Sequence, residues 1–158
     1  MGVTVYRSDD ASAPVLTAAA GSLLALLDAC LVTGYGAKAA AGWGKPFTGT
    51  NTAAFRAASG NRHYLAIDDS AVQYAVARGY REMTGMTTGL VGDFPTTVQL
   101  AGGIRPIKSS TTSTVTARPW VLVAASRAFF LMVGNDWTSH AIQNAYALSL
   151  IHISEPTR

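Results

Sequence analysis

The sequence predicts an α+β fold, a mainly antiparallel β-sheet with one N-terminal core helix packed on it. The segment Arg118–Gly134 contains two apolar runs, Trp120–Val123 and Ala128–Val133, joined by a short polar link. Val, Phe and Trp suit a pleated, half-buried surface, and so short a link joins only antiparallel neighbours. The clearest helical pattern is Ser22–Val32, whose leucines recur at helical spacing.

The first part of the chain predicts a strand, a turn and this helix. Val3–Arg7 alternates as a short strand does, and Ser8–Pro14 has the composition of a turn. Ser22 is placed to be the helix N-cap, and Gly34 supplies a stop signal. The helix is expected to contact the 120–133 hairpin through three leucines on one face, namely Leu23, Leu27 and Leu31.

The middle of the chain predicts further strands. Lys45–Arg56 is interrupted by Gly49 and Asn51, so it predicts either one bulged strand or two short strands. Arg62–Ile67 alternates as a strand. Val72–Met83 also predicts a strand, because its larger residues alternate with small ones that include a glycine.

The approach to the hairpin predicts little regular structure. Thr84–Gly103 is rich in Gly and Thr and predicts a long loop, of a kind that is often functional or ordered by neighbouring chains. Ile104–Lys108 predicts one more short strand, and Ser109–Thr116 is a polar stretch that leads into the hairpin.

Composition excludes several classes of protein. The chain has 158 residues, 49% of them hydrophobic and 13% charged, which indicates one folded domain rather than a disordered chain. Its net charge of +3 comes from scattered Lys and Arg, so specific nucleic acid binding is not indicated. Val15–Val32 contains Asp28 and lacks flanking positive charge, so no membrane span is expected. Cys30 lies within the leucine-rich helix and predicts a buried apolar residue rather than a reactive thiol.

The end of the chain has an unusual sequence. Leu148–Arg158 reads LSLIHISEPTR, which resembles the in-frame translation of a sequencing adapter, the transposase end sequence. We therefore expect residues 1–147 to form one domain and residues 148–158 to be a non-native tail. On this interpretation the natural protein is truncated here and continues past about Ala147.

No catalytic motif is present in the sequence. It has no phosphate-binding glycine loop with its lysine, no nucleophile elbow, and no zinc-binding His or Cys motif. We therefore predict that the protein is not an enzyme and uses no metal or cofactor. His63 is interpreted as a half-exposed strand residue, and His140 lies near the predicted tail.

Five residues are candidates for a binding or interface surface, namely Trp43, Asp68, Asp69, Arg78 and Tyr80. The acidic turn that begins at Asp68 joins two strands rich in arginine, and opposite charges can face each other across such a pair. Neighbouring arginines keep carboxylates ionised, so these groups predict either register-fixing ion pairs or a subunit contact. Trp43, Tyr80 and Tyr35 are aromatic residues that favour glycan binding where exposed and core packing where buried.

Short strings occur in a fixed order along residues 1–133, including VTVYRS at Val3–Ser8, GSLLALLDACLVTGYG at Gly21–Gly36, YLAIDD at Tyr64–Asp69 and ARPWVLV at Ala117–Val123. Together they resemble a family of tailed-bacteriophage virion structural proteins. The resemblance implies a non-enzymatic component of the head, neck or tail that assembles with copies of itself or with other virion proteins. It implies a virion location after assembly in the host cytoplasm, and it carries over no catalytic residue or ligand.

A tail-associated module that binds a host surface glycan is the alternative function. Clustering of Trp43, Tyr80 and Asp68 along one open groove favours that alternative, whereas burial of the aromatic residues favours the assembly role. A glycan hydrolase needs a converging pair of carboxylates, and no such pair is evident in the sequence.

Overall fold

Two antiparallel β-sheets and one short helix make up the described part of the chain, residues 2–93, 95–136 and 141–148 of a computed structural model. This architecture confirms the predicted α+β, mainly antiparallel fold class. The predictions for His140 and for residues 149–158 of the proposed tail lie outside the described residues.

The helix α1 spans Ser22–Asp28 and continues as one π-helical turn, Ala29–Thr33. The strands in chain order are β1 (Thr4–Arg7), β2 (Gly44–Gly49), β3 (Thr52–Arg56), β4 (Tyr64–Asp68), β5 (Val76–Glu82), β6 (Val91–Gly92), β7 (Trp120–Ala124), β8 (Phe129–Asp136) and β9 (Ala141–Leu148).

The first sheet has the strand order β1-β7-β8-β9. The predicted hairpin forms its centre as β7 and β8, and the predicted opening strand pairs with β7. In one cross-strand row Leu122 lies between Tyr6 and Leu131, and all three side chains are buried. Alternate residues of these strands therefore build the inner face of the sheet.

The second sheet is a meander with the order β2-β3-β4-β5-β6. The predicted 45–56 strand is two short strands, β2 and β3, with an irregular register between Gly44 and Phe47. Phe55 pairs with Leu65 and both are buried, so this sheet also has an apolar inner face.

One core joins the helix to both inner faces. The helix contributes buried Leu23, Leu27 and Leu31, and these belong to the same cluster of buried side chains as Phe55 and Trp120. The helix ends at Gly34, whose φ is 81°, and a Cβ there would lie 2.7 Å from the backbone oxygen of Lys38. Glycine is therefore required at this position, as the stop signal predicts.

The predicted strand at 104–108 is wrong. This segment makes only isolated bridges within the described chain, between Ile104 and Ala77 and between Ile107 and Tyr74. Pro106 lies between them, and proline has no N–H with which to continue a ladder.

The strand predicted from Val72 begins at Val76, because Gln73 adopts a positive φ of 74°.

Leu27→Ala should lower the free energy of unfolding by about 2–5 kcal/mol, because Leu27 is buried where the helix meets both sheets. Urea denaturation monitored by circular dichroism measures this loss. Leu24→Ala is the matched control and should cost less, because Leu24 is only partly buried. A cost below about 0.5 kcal/mol for Leu27→Ala would show that the helix is not docked in this way.

Candidate functional site

A buried ion pair joins Asp69 to Lys108 at the centre of the fold. Their side chains are completely inaccessible to solvent, and Lys108 Nζ lies 2.5 Å from Asp69 Oδ1. The ammonium also donates to the backbone oxygens of Ala19 at 2.8 Å and Ala71 at 3.0 Å. Three acceptors therefore match the three N–H donors of the lysine.

The second carboxylate oxygen of Asp69 caps the helix. It accepts hydrogen bonds from the backbone N–H groups of Leu23 at 2.8 Å and Leu24 at 3.2 Å. The prediction that Ser22 is the N-cap is wrong, because the N-cap position is Gly21 and Ser22 Oγ instead donates to the Thr17 oxygen. A side chain distant in sequence thus supplies the cap that the local sequence lacks.

This environment gives Asp69 a structural role. Burial raises the pKa of its carboxyl group, while Lys108 and the two helix N–H groups oppose that rise. The prediction that an arginine pairs with this carboxylate is wrong, because its partner is Lys108. Asp69 is fully buried and therefore lies inside the fold, not on a binding surface.

Trp43 is a core anchor. Its side chain is buried, its Nε1 donates to the Ala125 backbone oxygen at 2.9 Å, and its ring meets Phe129 edge-on with centroids 5.5 Å apart. The indole therefore joins the loop before β2 to the 120–133 hairpin. It is not available to stack on a ligand.

Three of the five candidate residues, Asp68, Arg78 and Tyr80, lie together along a groove of about 370 Å³. The groove lies on the outer face of the second sheet. There Arg78 is in one cross-strand row with Ala66 and Ala54, and these small residues leave a hollow between larger neighbours. We call it the Asp68 groove; its lining residues are Thr52, Ala66, Ile67, Asp68, Val76, Arg78, Tyr80, Met86, Thr87 and Gly102.

The strand register explains why the predicted ion pairs do not form across β4 and β5. Asp68 pairs with Val76, and Arg78 pairs with Ala66. The two charged residues are therefore not directly opposite each other, and the Ile67–Ala77 pair lies between them. Arg78 instead donates through Nη1 to the Leu100 oxygen and through Nη2 to the Ala101 oxygen. The prediction of register-fixing Asp–Arg pairs is therefore wrong, and Arg78 holds the following loop against the sheet.

The 84–103 loop forms the wall of the Asp68 groove. Its first turn is closed by a hydrogen bond from the Thr84 N–H to the Thr88 oxygen, which sets Met86 and Thr87 over the sheet. Its last residue, Gly103, has a φ of 66°, and a Cβ there would lie 2.7 Å from Val76 Cγ1. Glycine thus allows the loop to approach β5 closely.

His63 pairs with Asp93 beside the second sheet. Nδ1 of the histidine lies 2.6 Å from Asp93 Oδ2, and both side chains are about 15% exposed. The pair joins the start of β4 to the segment after β6. His63 is thus more buried than the prediction of a half-exposed strand residue.

The outer face of the first sheet is largely apolar. Val5, Val123 and Phe130 form one cross-strand row; Val5 is 40% exposed and Phe130 47%. The neighbouring row contains Val121 and Met132, which are partly buried, and ends at the exposed Arg7 on β1. We call the five apolar residues the Phe130 face. The continuous apolar runs of the hairpin indicate such a face in the sequence. A strand with one solvent-exposed face would instead alternate apolar and polar residues.

Within the part of the chain that the structure describes, no group of three or more His, Cys, Asp or Glu residues is placed to hold a metal ion. No helix there is long and apolar enough to span a bilayer. Comparisons with protein-family models, curated proteins and solved structures find no match for this chain. Its surfaces and its buried groups are therefore the basis for inferring function.

Asp69→Ala and Lys108→Met should each lower the free energy of unfolding by about 3–5 kcal/mol, because each leaves one buried charge without its partner. Urea denaturation of both variants and of the double variant measures these losses. The double variant should lose much less than the sum of the two, since no unpaired charge remains.

The matched control for this pair is Asp28→Ala, since Asp28 and Lys45 form a partly exposed ion pair with 2.5 Å between charged atoms. Asp28→Ala should lower the free energy of unfolding by only about 0–1 kcal/mol. Additive single losses at Asp69 and Lys108, or losses no larger than the control, would show that the buried pair does not stabilise the fold.

Cys30 should not react in the folded protein, because burial raises the pKa of its thiol to about 12 and the side chain has no solvent contact. Alkylation by iodoacetamide, followed by mass spectrometry, should be at least ~100-fold slower in buffer than in concentrated urea. Native labelling at the rate of free cysteine would contradict the described burial.

Proposed function

We propose that this protein is a non-enzymatic structural component of a bacteriophage virion, located in the head, neck or tail, that acts by assembling with copies of itself. The Phe130 face carries the proposal. Its central row places the partly buried Val123 between exposed Val5 and exposed Phe130 on a regular sheet. Exposed apolar patches of this kind mark contact surfaces in soluble proteins.

The edge of the first sheet supports contact through the face rather than through strand addition. Lys38 Nζ donates to the backbone oxygen of Val5 at 2.9 Å, and Tyr6 Oη donates to the Ala39 oxygen at 2.7 Å. The 34–41 segment thus lies along the edge strand β1. Covering the β1 edge in this way opposes pairing of that strand with another chain.

The distribution of titratable groups fits a structural role. The most deeply buried charges, Asp69 and Lys108, are paired with each other and closed to solvent. Catalysis needs such groups in a cleft where a substrate can reach them. The ordered resemblance of residues 1–133 to virion structural proteins supports the same function.

The double variant Val5→Thr/Phe130→Thr tests the proposal. We expect wild-type protein to sediment as oligomers whose share rises with concentration, and the variant to remain monomeric. The dissociation constant should rise at least about 10-fold, since apolar area no longer buried costs ~25 cal/mol per Å². Threonine is β-branched and suits a strand, and both positions are exposed, so the fold should be retained.

Val98→Thr/Val115→Thr is the matched control, because these valines are 93% and 88% exposed but lie outside the Phe130 face. This variant should associate as wild type does. A wild-type chain that stays monomeric at every concentration, or a Phe130-face variant that associates normally, contradicts the proposal.

A further inference from the structure

We propose that the Asp68 groove is a binding site for a neutral saccharide. This inference is independent of assembly, because the groove and the Phe130 face lie on the outer faces of different sheets whose inner faces share one core. At about 370 Å³, the groove falls in the size range of small-molecule sites. It combines an apolar floor with a few polar groups, as such sites do.

One end of the groove provides a positioned acceptor. Asp68 is exposed, and its Oδ1 accepts the Ser70 N–H at 3.0 Å, which holds the carboxylate in place. Asp68 lines the groove, and a carboxylate can accept further hydrogen bonds from a ligand there. The hydroxyl groups of Thr52 and Thr87 line the same cavity and can both donate and accept.

Arg78 provides positioned donors across the floor. Two of its nitrogens are fixed by the carbonyls of Leu100 and Ala101. A guanidinium group has five N–H donors, so further donors remain for a ligand in the groove that it lines. Because the loop already holds this side chain, little conformational entropy is lost when a ligand binds.

The apolar surface suits the C–H face of a sugar ring. Tyr80 from the sheet and Met86 from the 84–89 turn belong to one small apolar cluster, in which Tyr80 is largely buried at 9% exposure. Both line the groove together with Ala66 and Val76. Tyr80 is held in place by its cross-strand neighbour Tyr64, whose ring stacks on Phe47 with centroids 6.0 Å apart. A rigid aromatic edge of this kind offers contact area at low entropic cost.

The charges of the groove disfavour a ligand with a net charge. Asp68 and Arg78 carry opposite charges and line the same cavity. An anion is therefore repelled by the carboxylate, and a cation is repelled by the guanidinium. A neutral polyhydroxylated ring avoids both repulsions. Its neighbouring hydroxyl groups can donate to the Asp68 carboxylate and accept from the Arg78 guanidinium. Neutral hexoses and their disaccharides are the simplest ligands with that pattern.

The test uses the full 158-residue chain and a probe panel of glucose, galactose, N-acetylglucosamine, lactose and cellobiose, with glucuronic acid and N-acetylneuraminic acid as anionic comparators. Binding is followed by amide chemical shifts in ¹H–¹⁵N spectra. We expect at least one neutral sugar to give saturable shifts at residues that line the Asp68 groove, and the acidic sugars to bind more weakly.

Asp68→Asn and Thr87→Val should each weaken that binding about 10-fold or more, because a hydrogen bond from the groove is lost or weakened. Both positions are exposed, so folding should be unaffected. Asp9→Asn makes the same charge change at an exposed position outside the groove and should leave binding unchanged.

The proposal is overturned by any of three results: no saturable shift with any neutral sugar, stronger binding of the acidic sugars, or unchanged affinity in both groove variants. Each of these results leaves the assembly proposal intact, because the Val5/Phe130 variant tests a different surface. A Phe130-face variant that is monomeric and still binds sugar would separate the two functions directly.

Discussion

The buried ion pair between Asp69 and Lys108 is the constraint on which the rest of the structure depends. Asp69, just after β4, contacts Leu23 in the first turn of the helix, 46 positions earlier in the chain, and Lys108 in the segment before β7, 39 positions later. Unpaired buried charges are strongly unfavourable, so these three segments are fixed relative to one another. The helix then lies where its leucines fill the space between both inner faces.

Two adjacent carboxylates have opposite roles because successive residues at the end of a strand point to opposite faces. Asp68 lies on the outer face, in register with Thr52 and Val76, where it borders the Asp68 groove. Asp69 points inward, towards the helix and Lys108. A single dipeptide thus serves stability and a solvent-facing site at once, and a shift of register by one residue would exchange the two.

The two outer faces differ in chemistry and suit different partners. The Phe130 face is apolar and flat, which suits contact with another protein surface. The outer face of the second sheet is partly covered by the 84–103 loop, which leaves a small groove with one acid and one base. The two proposals are compatible, because contact through the Phe130 face would leave the Asp68 groove accessible on the other sheet.

The sequence by itself determined the hairpin at 120–133, the core helix, the strands β1 to β5 and the burial of Cys30, because periodicity and turn residues act locally. It did not predict β6 or β9. It indicated Asp68, Arg78 and Tyr80 and predicted the 84–103 loop, but it did not show that this loop lies beside those residues and contributes Met86 to the groove. Only the tertiary structure decided that Asp69 caps the helix in place of Ser22 and pairs with Lys108, and that Trp43 is buried. Contacts between residues 39 or more positions apart leave no local pattern, so packing alone selects which of two neighbouring acids is buried.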